Sequence, residues 1–424
     1  MPVIEDLRAL EILDSRGRPT VKAYCVLKGG VRAAASVPSG ASTGAGEALE
    51  LRDGEPRFRG LGCRKAVQNI CEPIRSVVVG KNFESVAALD RDLLALDGTP
   101  NKSRLGANAI LAVSLAFARA AATERGVPLY AYFSEIMNRA PAALPRPTIN
   151  LFSGGKHAGG QVAIQDVLIV PVSARSMDEA LAMSFAVFQS AADLISKKYG
   201  MRMLRADEGG LAPPATNCAA LLEDAVRAIE AAGLNPGADV AIAIDVASTH
   251  FFNEGKYTLD GAVRDSTAMI ELLSQWLKAF PIVSIEDGLA EDEWSQWPTL
   301  YDAIHGRALV LGDDFLCTNP TRIERAIAAR AANALLLKVN QIGTLSEAAQ
   351  ACKLARGAGW KVTVSARSGE TEDDWLADLA VGWGGDQIKI GSITQSERLA
   401  KYNRLLEVER ETGLPMNPWP GPRT

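Results

Sequence analysis

From about residue 140 onward one pattern recurs along the chain: a short aliphatic or β-branched run, a polar or charged residue at its end, then an amphipathic segment. The runs are Val240–Ala247, Ile282–Glu286, Ala308–Asp313, Ala334–Asn340, Lys361–Ser365 and Asp386–Gly391. Between them, Asp265–Ala279, Pro320–Arg330 and Leu345–Gly357 carry apolar residues at three- and four-residue spacing, which predicts helices with one buried face. Strand–helix alternation of this kind specifies an α/β fold with a parallel sheet, and six such units point to a barrel. Two earlier runs, Thr148–Phe152 and Val162–Val170, bring the strand count to eight. Their connection, Ser153–Gln161, is short and holds four glycines, so the two read as an antiparallel hairpin. Long helical segments at Met177–Lys198 and Asn217–Ala232 follow before the βα units begin. The expected order is therefore ββαα(βα)6.

Residues 1–139 read differently. Alternating apolar positions at Val21–Val26 and Ala33–Val37 predict an antiparallel meander, with helices over Cys63–Val79 and Gly106–Arg125. An α+β capping domain is expected here, and the alanine- and proline-rich stretch Ala140–Pro147 marks its boundary with a barrel domain at 140–424. The length, 424 residues, exceeds what one hydrophobic core usually serves. Hydrophobic residues make up 47% and charged residues 22% of the chain, ordinary for a globular protein. A net charge of −5 without a basic block leaves no electrostatic footprint for nucleic acid. The longest apolar helical run, Ala109–Ala118, is too short to span a bilayer. No cationic-then-apolar leader is visible at the N-terminus, and six cysteines lie without CxxC spacing. Both point to free thiols in a reducing cytoplasm.

Charge falls where the strands end. Asp245, Glu286 and Asp313 close successive predicted strands, and adjacent strand ends of a parallel barrel project into one basin. Three carboxylates crowded there repel one another without a cation. Oxygen ligands without thiolate or imidazole favour Mg2+. Lys338 and Lys389 also lie within or at the end of apolar runs, where an ammonium loses its hydration. Burial, a second lysine and a nearby cation would each lower the pKa of Lys338 and free an amine to act as a base.

Longer motifs give these residues a context. Ile12-Leu13-Asp14-Ser15-Arg16-Gly17-Arg18-Pro19-Thr20, Pro38-Ser39-Gly40-Ala41-Ser42-Thr43-Gly44, Asp207-Glu208-Gly209-Gly210, Ser284-Ile285-Glu286-Asp287-Gly288-Leu289, Gly312-Asp313-Asp314, Lys338-Val339-Asn340-Gln341-Ile342-Gly343 and Ser365-Ala366-Arg367-Ser368-Gly369-Glu370-Thr371-Glu372-Asp373 together resemble the enolase family from end to end. A lysine base beside Mg2+ is the established pattern of that superfamily, so the pairing comes with the resemblance. The resemblance implies an enolase-type ββαα(βα)6 barrel and a phosphopyruvate hydratase that converts 2-phosphoglycerate to phosphoenolpyruvate. Asp245, Glu286 and Asp313 would hold one Mg2+, and Ser42, on a mobile lid spanning Ser39–Gly44, would complete a second that arrives with substrate. Lys338 would remove the α-proton and Glu208 would protonate the departing 3-hydroxyl, with His157 and Asp166 at the leaving-group side. Gln165, Lys389, Arg367 and Ser368 would bind substrate, the last two gripping its phosphate. A homo-oligomer, dimer or higher, is implied as well.

Four positions depart from the family pattern. Ala366 stands where a histidine is usual, Asp166 replaces a glutamate, Ser153 an asparagine, and His250 a glutamate near the metal strand; His157 is retained. The machinery for proton abstraction is complete, whereas the groups that read the far end of the substrate are altered. Three readings stay open: an enolase, at full or weakened strength; a paralogue using the same chemistry on a modified substrate such as a phosphonate analogue; and a non-catalytic binding protein on this scaffold. The last gives no chemical reason to keep a costly buried carboxylate and lysine cluster.

Overall fold

Three N-terminal strands, β1 (Ile4–Leu13), β2 (Pro19–Leu27) and β3 (Arg32–Ser36), pair antiparallel in sequence order. The turn between β1 and β2 is held by Asp14, whose Oδ1 accepts from the amides of Arg16 and Arg18 at 2.8 and 2.9 Å. Gly17 supplies the left-handed residue at φ +68°. Helix Ala107–Glu124 lies against this sheet. Its alanine-rich surface is buried on every side, which lets sheet, neighbouring helices and barrel approach it closely. A computed structural model describes residues 2–41, 43–200 and 204–419, so Ser42 lies outside the described residues.

The second body is a closed eight-stranded barrel. Its strands are β4 (Arg146–Ser153), β5 (Asp166–Val170), β6 (Ala241–Asp245), β10 (Ile282–Glu286), β11 (Leu309–Gly312), β12 (Ala334–Leu337), β13 (Lys361–Ser365) and β14 (Gln387–Gly391); β7 (Phe252–Asn253), β8 (Lys256–Leu259) and β9 (Ala262–Arg264) form a small separate sheet. β5 runs antiparallel to both β4 and β6, while the other six pairings are parallel. Helices Met177–Tyr199 and Cys218–Ala231 follow the hairpin, and each later strand leads into at least one helix. This is the ββαα(βα)6 order read from the sequence.

Four local expectations change. The helix expected at Cys63–Val79 is broken by a π-helical turn at Ile70–Ile74 that contains Pro73, which has no amide to donate to the α-helical ladder. The strand expected at Ala334–Asn340 ends at Leu337, because Lys338 opens a short helix, Val339–Ile342, closed by Gly343 at φ +95°. The strand expected at Val162–Val170 begins only at Asp166, and residues 162–165 belong to the connection. β1, with no clean alternation, and the β7–β9 sheet were not anticipated. All six cysteines are free thiols. Among the described residues no helix is long and apolar enough to cross a membrane.

Candidate active site

Parallel pairing of β6, β10 and β11 sets the acidic residues side by side. Asp245 and Glu286 are direct register partners, and Asp313 follows the last residue of β11. All three are buried. Lys389, near the end of β14, reaches across the barrel mouth to Asp245 Oδ2 at 2.9 Å and to both Glu286 oxygens at 2.9 and 2.8 Å. Burial pushes the Glu286 carboxyl well above the usual carboxylate range, with the charge of Asp245 adding to it. Asp245, by contrast, is held down at about 2: burial opposes its charge, but Lys389 outweighs burial.

Lys338 donates to Asp313 Oδ2. Its backbone is fixed too, since its amide donates to Thr318 Oγ1 at 2.9 Å. That hydroxyl donates to Gln341 Oε1 at 2.7 Å, and Gln341 Nε2 donates to Asp313 Oδ1 at 2.8 Å. The depressed pKa expected of Lys338 is not found. Burial does favour the neutral amine, but the Asp313 carboxylate overrides it and raises the pKa above the ordinary lysine value. Asp287, at a left-handed φ of 44°, accepts the amides of Asp313 and Asp314 at 2.9 and 2.8 Å and so shapes the strand end. Burial lifts Asp287 well above the normal range and takes Asp314 to about 7, with neighbouring carboxylates adding to each.

A second cluster sits on the β4–β5 hairpin and the loop that follows Leu204. His157 Nδ1 lies 2.9 Å from Asp166 Oδ2, and its Nε2 lies 3.7 Å from Glu208 Oε1. Asn150 Nδ2 donates to Glu208 Oε2 at 3.0 Å. Burial would push His157 down, yet Asp166 and Glu208 hold it up at about 9. Burial also raises Asp166. Glu208 is lowered: burial opposes its charge, but His157 and then Arg398 overcome it. The expected acid is therefore ionised here. Burial, helped by Lys156, takes His250 down to about 4, so its imidazole is neutral at neutral pH.

Arg367 is buried, and Glu47 of the N-terminal body grips it bidentately, with both Nη atoms 3.1 Å from the carboxylate oxygens. Burial alone would lower its pKa, but Glu47 keeps it above the ordinary arginine value. Ser368 Oγ accepts from Arg16 Nη1 at 3.0 Å, and Arg16 is itself held by Asp14. Arg398, fully buried, donates to the carbonyls of Arg367 and Ser368 at 2.7 Å each and so fixes that loop against β14. Arg16, Glu47, Asn150, Gln341 and Arg398 carry roles that the sequence reading did not assign. Arg16 and Gln341 lie within the family motifs, and a buried arginine such as Arg398 has no periodic signature.

His157, Gln165, Glu208, Asp245, Lys338, Ala366, Arg367, Ser368 and Lys389 line one cavity of about 20 Å³, closed on one side by Ala41. That is room for about one water. Among the described residues two groups bring three ligand atoms within 4.8 Å: His157 with Asp166 and Glu208, and Asp287 with Asp313 and Asp314. Asp245, Glu286 and Asp313 are not such a group, since Lys389 bridges the first two and Lys338 engages the third. Their chemistry fits a hard divalent cation nonetheless. The donors are all oxygen, and the buried Gln165 Oε1 beside Asp245 has no hydrogen-bond partner.

Comparison with known proteins is consistent along the whole chain. Residues 4–133 match the family model described as enolase, N-terminal domain, and residues 141–417 match enolase, C-terminal TIM barrel domain. Over 414 residues the chain is 47% identical to a protein of Mycobacterium leprae named enolase, covering 97% of this chain and 96% of that one.

Proposed function

The chain belongs to the enolase family and is an enolase-like carbon–oxygen lyase, and from that premise we propose that it dehydrates 2-phosphoglycerate to phosphoenolpyruvate with Mg2+. The observation that carries this reading is the pair of buried lysines set against buried carboxylates at the barrel mouth. Asp245, Glu286 and Asp313 would hold the ion, with Ser42 serving a second that arrives with substrate. Bound there, Mg2+ would neutralise charge on the substrate carboxylate and on the dianion formed after proton loss.

Lys338 takes the proton from C2. Burial favours its neutral amine, Arg367 and Lys389 add to that, and only carboxylates, Asp313 foremost, oppose it. Neutralising Asp313 therefore frees the base. Lys389 stays charged and stabilises the dianion, and Gln165 orients the carboxylate end. The C3–O bond then breaks, and Glu208 supplies the proton with which the hydroxyl leaves as water. Glu208 is ionised here and must take up that proton first, against the lowering that His157, 3.7 Å away, imposes on it. Arg367 and Ser368 hold the phosphate through charge-assisted hydrogen bonds. A glycolytic role in the cytoplasm follows from this substrate assignment.

Ala366, beside Arg367 on the cavity wall, favours a second reading in which the substrate is modified at its phosphate end, as in a phosphonate analogue. One assay separates the two. Purified protein with Mg2+ and 2-phosphoglycerate should form phosphoenolpyruvate, seen by its ultraviolet absorbance; chelation should abolish the signal and Mg2+ restore it. Lys338→Ala should stop exchange of the C2 proton with solvent deuterium, and Glu208→Gln should slow elimination while leaving exchange measurable. No product from 2-phosphoglycerate, with turnover of a phosphonate analogue, would select the second reading.

A further inference from the structure

Ser153 and Asp166 face each other across the β4–β5 hairpin. They are register partners on antiparallel strands, so their side chains emerge on one face within reach of each other. Ser153 Oγ donates to Asp166 Oδ1 at 2.6 Å, and Asp166 Oδ2 lies 2.9 Å from His157 Nδ1. Each oxygen of Asp166 is thus engaged by one partner. Neither Ser153 nor Asp166 has any exposed surface. Of this cluster, His157 and Glu208 line the cavity, whereas Ser153 and Asp166 do not.

The backbone of Ser153 ties the same parts together. Its amide donates to the carbonyl of Leu211, in the loop that carries Glu208, at 2.8 Å. Its carbonyl accepts from Gln161 Nε2, in the loop that carries His157, at 2.9 Å. The hydroxyl has a fixed slot, because a Cβ added at Gly210 would come within 2.7 Å of Ser153 Oγ. A short donor and a short carboxylate suit this space. Without the hydroxyl, one oxygen of a fully buried carboxylate is left unpaired, which is costly and frees Asp166 to turn.

We propose that Ser153 is a positioning residue that locks the Asp166 carboxylate onto His157, so that Asp166 works through the imidazole and does not touch the substrate. Its use in catalysis rests on the lyase reading above; the hydrogen-bonded chain does not.

A double-mutant cycle tests it. Ser153→Ala should lower kcat for 2-phosphoglycerate about tenfold, the scale of one buried hydrogen bond to a charged group. KM should stay within about threefold, and C2 proton exchange should persist. In an Asp166→Ala background the same Ser153→Ala change should have no further effect. Ser153→Cys, nearly the same volume with a weaker donor, should fall between and serves where the alanine variant does not fold. A second readout needs no substrate. The chain holds three histidines, so the carbon-bound ring proton resonances can be assigned by substitution, and Ser153→Ala should shift those of His157 and leave those of His305 unmoved. Equal losses in both backgrounds, or His157 resonances that do not move, would overturn the proposal. If the unaltered protein does not act on 2-phosphoglycerate, the substrate reading fails and the histidine spectra alone decide the role of Ser153.

Discussion

Where the family resemblance implies a histidine, Ala366 offers no polar donor to the cavity wall that also carries Arg367 and Ser368. A charge-assisted hydrogen bond is worth about 1.5–3 kcal/mol, and each 1.36 kcal/mol is a factor of ten in rate. Turnover of 2-phosphoglycerate should therefore lie about ten- to a hundredfold below that of an enolase with histidine here. Ala366→His combined with Asp166→Glu should recover part of it in steady-state assays. Full activity in the unaltered protein would show the donor to be dispensable. A second effect concerns stability. His157 is raised from its ordinary 6.5 to about 9, so its ionised form stabilises the fold. That contribution is complete below about pH 6.5 and is lost as pH rises through about 9. The melting-temperature gap between the protein and His157→Gln should accordingly be widest near pH 6 and narrow by pH 9.5; a constant gap would mean that His157 is neutral throughout. Among single residues, the sequence was most legible where a charge interrupted an apolar run, as at Lys338, Lys389 and Glu286. It was silent on partners. Nothing local in Glu47 says that it grips Arg367, 320 positions away.

The hairpin of β4 and β5 carries His157 in its connection and Asp166 at the start of β5. Gly154 sits at its bend, where an added Cβ would come within 2.3 Å of Val162 Cγ2 and 2.6 Å of the Ile164 carbonyl. The backbone contact cannot be relieved by a rotamer change. Gly154→Ala should thus cost about 1–3 kcal/mol of stability, as overpacking does. It should also lower turnover more than a matched loss of stability elsewhere, because His157 and Asp166 move with the bend. Thermal unfolding beside steady-state kinetics would show this, and wild-type kinetics in a destabilised variant would contradict it. Elements with strong periodicity were readable to within a few residues, Leu345–Gly357 among them. Others were missed for local reasons. The β7–β9 sheet turns at Glu254-Gly255 and Asp260-Gly261, where both residues of each pair have positive φ. Such pairs are hairpin signals, but strands of two to four residues are too short to show alternation. At Cys63–Val79 the apolar spacing continued through Pro73, and the missing amide decided the geometry instead.

At the scale of the whole molecule, both bodies contribute to one site: Glu47 and Arg16 reach it from the N-terminal sheet side, and Arg367, Ser368 and the lysines from the barrel. We propose residues 1–139 and 140–424 as the two domains, joined through these contacts and through helix Leu129–Ile136, which packs on Trp375–Gly382. Large aliphatic side chains are exposed singly near their junction. Leu10 and Leu13 of β1 are more than half exposed, and Leu399, on helix Ser396–Thr412, is 37% exposed. Leu13 shares a surface depression with Ser396 and Glu397 of that helix, and Arg119 and Asp373 line it as well. The rest of that lining is mostly charged and polar, so Leu13 is an apolar point within a polar rim. The resemblance implies a homo-oligomer, and we propose that Leu13 lies where a second copy of the chain packs. Sedimentation velocity should find a dimer or a larger assembly, and Leu13→Glu, which replaces that exposed apolar side chain by a charge, should shift it toward the monomer with the fold intact by circular dichroism. A protein that sediments as a monomer at all concentrations would refute the assembly, and an unchanged oligomer in Leu13→Glu would place the interface on another face.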